Sequence, residues 1–473
     1  MKSISRRHFV KGSALAAGAL AWPARSWAQV LGANSDIRIA IVGFNGRGKD
    51  HIEGFRKASG ARVVALCDVD QKVLEREAKK FRDRDEKIET YTDVRKLLDN
   101  KNIDAIAIAT PNHWHSLIAI WACQAGKDVY VEKPVSHNVW EGGQLVRAAR
   151  KYQRIVQTGT QCRSSEGLIE AINWLREGHL GKIKVSRGLC YKPRGSIGDV
   201  TGPQQPPASV DYDLWCGPAP KDPLMRERLH YDWHWVWSTG NGDLGNQGIH
   251  QMDIARWALG EKALSPRVFS VGGRLGYKDD GETPNTMFVC HDYPSAPLIF
   301  EVRGLKTPDY RGAKVGVVVD CEGGSIVIPS YQKAIAYDKQ GAQIKVWDRG
   351  GNHHENFLRA VRSRNPKQLA AEILEGHLSS ALCHTGNISY LLGRRSTPEA
   401  LREKLQSNKA AAETFDRMSE HLAENQVDLS RSRATMGQVL EMNPEQEIFV
   451  GNDLANHFLT RRYREPFVVP DHV

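Results

Sequence analysis

The chain lacks a long apolar run at its start, lacks any Cys-x-x-Cys, and lacks a strong charge excess once its first residues are set aside. The opening apolar stretch, Ser13 to Trp22, is about ten residues and rich in Ala and Gly, half of the roughly 20 that a spanning helix needs. No cysteine lies near the end of that segment, which argues against a lipid anchor. The eight cysteines (Cys67, Cys123, Cys162, Cys190, Cys216, Cys290, Cys321 and Cys383) are scattered, a pattern that suggests neither a zinc site nor a redox pair. The formal charge of +10 includes five Lys/Arg and no acid within residues 1–28; the remainder carries 60 basic and 55 acidic side chains. That balance is too mild to argue for nucleic acid. His377 and His384, seven apart on one expected helix, have no carboxylate in register, so they read as packing residues and no metal is expected.

What the first residues do contain is an address. Lys2, Arg6, Arg7 and Lys11 precede the short apolar run, and Ser26-Trp27-Ala28 places small residues where a signal peptidase reads. Ser5 to Lys11 fits the twin-arginine pattern S-R-R-x-F-x-K. Residues 1–28 are therefore expected to be a cleaved signal and 29–35 a linker, with the protein carried folded to the periplasm or beyond and left without a membrane anchor. Folding in a reducing cytoplasm argues against structural disulfides.

The remaining length suits two domains. Residues 36–42, DIRIAIV, read as a buried parallel strand. Gly43-Phe44-Asn45-Gly46-Arg47-Gly48 follows, then a helical stretch. This is the place of the dinucleotide fingerprint G-x-G-x-x-G, with Gly43 and Gly48 in the outer positions and Asn45 in the middle one. Asn tolerates positive φ, so the turn is expected to survive there, with backbone N–H groups at the helix start facing a pyrophosphate. Asp68 ends the next strand, where a carboxylate accepts from ribose hydroxyls and repels an extra phosphate; NAD is preferred over NADP. Asp70 suits the cap of the following helix. Strands at Ile103–Thr110 and Val129–Val131 deliver Thr110-Pro111-Asn112 and Glu132-Lys133-Pro134, with a helix beginning near His115 and His113 and Trp114 in the loop before it. Strand ends on this face are where ligands bind in a doubly wound sheet.

The pairing of Thr110-Pro111-Asn112-x-x-His115 with Glu132-Lys133-Pro134, after a glycine turn, resembles the glucose–fructose oxidoreductase / inositol dehydrogenase / MocA (Gfo/Idh/MocA) family. The resemblance implies that Lys133 lies beside a nicotinamide and takes part in catalysis. It implies that Glu132 holds that loop and that Thr110, Pro111, Asn112 and His115 line the cofactor. It also implies an α/β architecture: an N-terminal Rossmann domain with a doubly wound parallel sheet, over 36–158, then a C-terminal α/β domain with an open, mostly antiparallel sheet, over 159–473. Alternating runs from Lys182 onward agree. The open sheet of such proteins pairs subunits, so a homo-oligomer, dimer or tetramer, is implied. The polar tail after Thr397 resembles those of exported members and is expected to wrap a neighbour.

Residues 193–243 are rich in Pro and Trp, including Trp215, Trp233, Trp235 and Trp237. A loop of this length is functional or disordered; its aromatic faces suit sugar rings or pack the loop down, and Trp235 is taken as a substrate candidate. The segment ending in Gly248-Ile249-His250-Gln251-Met252-Asp253 resembles the family's D-x-G-x-H-x-x-D, whose His is the acid/base. His250 and Asp253 match it, one helical turn apart; Asn246 stands where the family has Asp, and can hydrogen-bond but not ionise. Lys192, after a strand, and His353, before a helix, are further substrate candidates. The resemblance thus implies hydride transfer between a sugar, polyol or glycoside and a tightly bound NAD. Two alternatives are a redox-neutral glycoside hydrolase or lyase that oxidises, eliminates and re-reduces, and a sugar-binding protein without chemistry. The Y-P-T-H stretch of the family's exported N-acetylgalactosaminidases is absent.

Overall fold

The computed structural model describes residues 36–473, so the expected signal and linker lie outside the described residues. β1 (Ile37–Val42) shows why the first sheet forms. Ile37, Ile39 and Ile41 enter one apolar cluster while Ala40 and Val42 enter another, so the strand is buried on both faces. β2 (Ala61–Cys67), β3 (Glu89–Tyr91), β4 (Ala105–Ile108), β5 (Asp128–Val131) and β6 (Val156–Thr158) join it in the order β3-β2-β1-β4-β5-β6. Every pair is parallel, which is the doubly wound Rossmann arrangement. The order reverses between β1 and β4, and the crevice at their C-terminal ends is the expected ligand site.

The connecting helices are set by local chemistry. α1 (Gly48–Lys57) follows the glycine turn, and α2 (Gln71–Arg82) starts at Asp70, whose side chain accepts from Lys72 N and Val73 N as expected. Asp93 caps α3 (Val94–Leu98) in the same way. α4 begins earlier than expected, spanning Asn112–Gln124 with Pro111 as its cap residue; His113 and Trp114 are therefore buried in its first turn and are not loop residues. α5 (Val139–Lys151) is capped by Asn138.

The second sheet is mixed and mostly antiparallel, its strands lying in the order Gln343–Asp348 (β14), Lys333–Asp338 (β13), Gly324–Ile328 (β12), Val315–Cys321 (β11), Ile183–Tyr191 (β7), Leu298–Arg303 (β10), Thr286–His291 (β9), Arg267–Gly273 (β8), Thr435–Met436 (β16) and Arg394–Arg395 (β15), with Leu440–Asn443 (β17) also pairing β8. Its central strand β7 (Ile183–Tyr191) pairs parallel with β10 (Leu298–Arg303) and antiparallel with β11 (Val315–Cys321). One face is covered by α6 (Glu166–Arg176), a helix of residues Gly248–Leu259, here α9, and a helix of residues Ile373–Leu391, here α11. Their Leu168, Met252 and Leu382 pack with Cys190, Phe300 and Val317.

The opposite face receives α12 (Pro398–Leu405) and α13 (Lys409–Glu424), whose Leu401, Phe415 and Leu422 pack on Phe269, Phe288 and Ile299. Arg417 of α13 also reaches buried Glu301 on β10 at 2.6 Å. The chain end then returns to the first half, where Phe467 and Val469 join the cluster around Trp114. Part of the tail thus packs on its own chain, whereas Ile448, Val450, Leu454 and Phe458 stay exposed. A helix of residues His353–Ser363, here α10, likewise completes the first half by packing Phe357 and Val361 with Phe55 and Ile37. All eight cysteines are buried and free.

Candidate active site

The glycine turn is tight at both ends and open in the middle. Gly43 has φ +76°, and a Cβ there would lie 2.8 Å from Thr110 N; a Cβ on Gly48 would lie 2.1 Å from Gly43 O. Gly46 has no neighbour within 4 Å of such an atom, so its backbone is free to be approached from the crevice. Asn45 takes no positive φ. The expectation that it tolerates one is corrected, because Gly43 carries the left-handed residue; Asn45 Oδ1 instead accepts from Arg76 at 3.3 Å. Asp68 accepts from Phe44 N at 3.1 Å and Asp70 N at 3.0 Å, so it fixes the turn as well as facing the crevice. Burial raises its pKa against those two N–H groups.

Two loops at the β4 and β5 ends are clamped together by one ring. His115 places Nδ1 2.6 Å from Pro134 O and Nε2 2.7 Å from Thr110 O. Burial lowers its pKa while the two carbonyls oppose that shift; either neutral tautomer donates to one of them. Asn112 donates to Asn241 Oδ1 at 2.9 Å, joining this loop to the second half. Glu132 is buried and accepts from His51 Nε2 at 3.1 Å, Arg47 Nε at 3.3 Å and Lys133 N at 3.1 Å. Burial alone would raise its pKa, but His51, Lys133 and Arg47 hold it well below the usual carboxylate range. Glu132 is thus an ionised strut under the lysine loop. His51 was not singled out from sequence; the available signal was its place four residues after Arg47 on one helix face.

Lys133 Nζ donates to Asn246 O at 3.0 Å, across the junction of the two halves. Burial lowers its pKa, with Glu132 opposing and Arg47 adding. Asn246 uses its carbonyl for this contact, and its amide lies 3.4 Å from Asp243 Oδ1. His250, at 5% exposure, is held neutral: burial and then the Lys133 charge push its pKa well down. Its Nδ1 is buried with no hydrogen-bond partner. Lys192 Nζ donates to Gln247 Oε1 at 3.2 Å, on the turn that leads into α9.

Three expected site residues are placed elsewhere. Asp253 does not meet His250; Arg163 grips its carboxylate at 2.8 Å, and Ser379 Oγ donates to it at 2.7 Å. The pair is buried, and Asp253 is a structural anion. Trp235 is 5% exposed with Arg194 over its ring, and its neighbour Trp233 takes the place in the crevice wall. His353 opens α10 with both ring nitrogens in use, on Ser164 Oγ at 2.6 Å and Thr158 O at 2.8 Å. It does not line the crevice, and neither do His250 and Lys192. His377, read as a packing residue without a carboxylate, meets Glu447 of the tail at 2.9 Å.

The crevice encloses a cavity of about 370 Å³ lined by the glycine turn, Asp68, Thr110, His115, Lys133 and Asn246, with further walls from the Trp-rich loop. The residues fit a dinucleotide: an open backbone at Gly46, a carboxylate at the β2 end, and a buried Thr110 hydroxyl that has no protein partner. Sheet order, glycine turn and cleft position together define a dinucleotide-binding protein of the Rossmann class. Residues 37–160 match the model described as oxidoreductase family, NAD-binding Rossmann fold, and residues 181–291 match its C-terminal alpha/beta domain. The chain belongs to the Gfo/Idh/MocA oxidoreductase family.

Among similar curated proteins, the alpha-N-acetylgalactosaminidase of Shewanella oneidensis is 28% identical over 206 residues, 39% of this chain and 45% of that protein. Glycosyl hydrolase family 109 protein 1 of Shewanella sp. strain MR-4 is 29% identical over the same length and shares. The chain spans less than half the length of these curated relatives. Among solved structures, the WlbA dehydrogenase from Bordetella pertussis, in complex with NADH and UDP-GlcNAcA, aligns with a TM-score of 0.55 at 18% identity. That alignment covers 73% of this chain and 94% of that one. At that identity the likeness is one of fold.

Proposed function

We propose that the chain is an exported oxidoreductase that moves a hydride between a sugar, polyol or glycoside carbon and a resident NAD. The observation that carries this reading is the position of Lys133: its ammonium group sits in the dinucleotide crevice and bonds Asn246 O of the second half at 3.0 Å. When bound, the nicotinamide supplies the hydride acceptor or donor. Lys133 and His250 handle the hydroxyl proton; burial biases each toward its neutral, proton-accepting form. Asn246 holds a hydroxyl without lending charge. Asp68 supports NAD over NADP, since its carboxylate opposes a ribose phosphate. The same reading makes the protein a homo-oligomer with a small sugar-like substrate.

A second reading is favoured by the names of the curated relatives, which are glycosyl hydrolases. Oxidation of a sugar carbon makes the neighbouring C–H acidic; that proton and the glycosidic group are then eliminated, water adds to the double bond left behind, and re-reduction returns the hydride, so no nucleotide is consumed. The two readings separate in one experiment. Residues 29–473 are purified without added nucleotide and mixed with a panel of sugars and aryl glycosides while reduced-nicotinamide absorbance is followed. A rise that stops at one equivalent per subunit supports net oxidation awaiting a second substrate. Steady aglycone release without a lasting rise supports the hydrolase. No bound nucleotide, and none taken up, contradicts both.

The address belongs to this proposal. A protein that folds around its cofactor before crossing a membrane suits the twin-arginine route. An Arg6→Lys/Arg7→Lys double substitution is expected to stay in the cytoplasm; normal export of that variant contradicts the assignment.

A further inference from the structure

The dinucleotide crevice has a second wall that does not come from the Rossmann half. Leu214, Trp215, His230, Tyr231, Trp233 and His234, all from the Pro- and Trp-rich loop, face it together with Asp68 and the glycine turn. The loop reaches the Rossmann half by backbone pairing. Asp211 N donates to Val69 O at 3.1 Å, and Gln71 N donates to Ser209 O at 2.8 Å, on either side of Asp70. Asp70 in turn meets the His230 ring at 2.9 Å. Asp70 also donates its N–H to Asp68, so the contact sits two residues from the carboxylate that serves the ribose.

The loop is held from other sides as well. Trp114 Nε1 donates to Leu214 O at 3.0 Å, and its indole fills the space that a Cβ on Gly217 would occupy. Arg464 of the chain end donates to Asp213 O at 2.7 Å and Gly217 O at 3.0 Å. Next to His230, Tyr231 takes φ +69°, a conformation costly for an aromatic residue. Arg194, itself bonded to buried Asp243, donates to its hydroxyl at 2.7 Å. Two adjacent residues are therefore gripped by different parts of the molecule, His230 by the Rossmann half and Tyr231 by the substrate half.

We propose that residues 204–235 form a clasp across the dinucleotide site, closed by the Asp70–His230 contact, so that the nucleotide leaves only when the loop lifts. The clasp makes the nucleotide a resident group and not an exchanging co-substrate. It deepens the reading of the crevice as a nicotinamide dinucleotide site and rests on it. No local sequence feature announces the contact, because His230 follows Asp70 by 160 residues.

The test uses the full chain loaded with NAD, stripped of free nucleotide by rapid gel filtration, with bound NAD measured over time. His230→Ala is expected to release NAD about ten-fold faster or more, the scale of losing one hydrogen bond to a charged group. His230→Gln, which keeps a donor, is expected to fall between the two. Asp70→Asn keeps the α2 cap, because Asn caps as well as Asp, and removes only the charge that faces His230. As a measurement independent of any variant, hydrogen exchange of the Asp211 and Gln71 amides in the unmodified protein is expected to slow on NAD loading. Release from His230→Ala at the unmodified rate, or exchange at those amides that ignores NAD, overturns the clasp and leaves the cofactor reading intact. Failure of the unmodified protein to hold NAD at all overturns both.

Discussion

Gly159 makes room for Glu132. A Cβ built on Gly159 would lie 2.8 Å from the carboxyl carbon of Glu132, the buried strut that receives N–H groups from His51, Arg47 and Lys133. The residue just past β6 is therefore coupled to the loop that carries the candidate catalytic lysine. Gly159→Ala is expected to displace that carboxylate, at a cost of about 1–3 kcal/mol typical of overpacking. Urea unfolding checks it, as a lowered midpoint with an unchanged slope.

Gly46 is the contrasting glycine, since no protein atom lies within 4 Å of a Cβ placed there. Gly46→Val is expected to leave the thermal midpoint of the nucleotide-free protein unchanged while weakening NAD about ten-fold or more, because the backbone there is the approach to the pyrophosphate. Calorimetric titration with NAD gives the comparison.

Asp253 separates a structural role from a catalytic one. Its carboxylate neutralises Arg163 in a buried pair. Asp253→Ala removes the bidentate partner and leaves Glu375, at 3.1 Å, as the remaining anion on that guanidinium, so a loss of about 3 kcal/mol, the low end for breaking a buried pair, is expected. Turnover per folded molecule is expected to change little. A large fall in kcat with normal unfolding behaviour would return Asp253 to the proton-handling machinery.

Glu141 gives a pH signature. It is buried beside the 137–138 loop, accepting from His137 N at 2.8 Å and Asn138 Nδ2 at 2.9 Å. Burial pushes its pKa from 4.5 up to about 7, with Arg461 opposing. Between those values the folded chain keeps a proton that the unfolded chain has released, so this group lowers stability as pH rises through the window. Glu141→Gln removes that slope. The thermal midpoint of the variant is expected to gain on the unmodified protein from pH 4.5 to about 7 and then level off.

Much of this was legible from sequence, for reasons that differ by residue. Parallel strands buried on both faces read as short β-branched runs, so β1, β2, β4 and β5 were found. The cap at Asp70 follows from local hydrogen bonding. The strands of residues Lys333–Asp338 and Gln343–Asp348, the last two toward one edge of the sheet, are hard to read because they carry Lys, Gln and Asp. Asp253 was misplaced because its helical spacing suggested His250 as partner, whereas Arg163 arrives from 90 residues away. Trp233 and Trp235 are alike in sequence, and only the packing of Arg194 over the Trp235 ring separates the buried indole from the one at the crevice. Trp114 was hidden as well: Pro111 looks like a helix breaker, yet it sits at the cap, where a missing N–H costs nothing.

The most direct test of the account concerns Lys133. Unmodified protein and Lys133→Ala are loaded with NAD, their nucleotide content is measured, and each is mixed in a single turnover with a sugar that reduces the unmodified enzyme. The account predicts equal NAD content and a rate of nicotinamide reduction lower by about 10²–10⁴-fold in the variant, the span of positioned acid–base catalysis. Equal content with an unchanged rate would contradict it, leaving Lys133 as a tie between the two halves and placing the proton elsewhere.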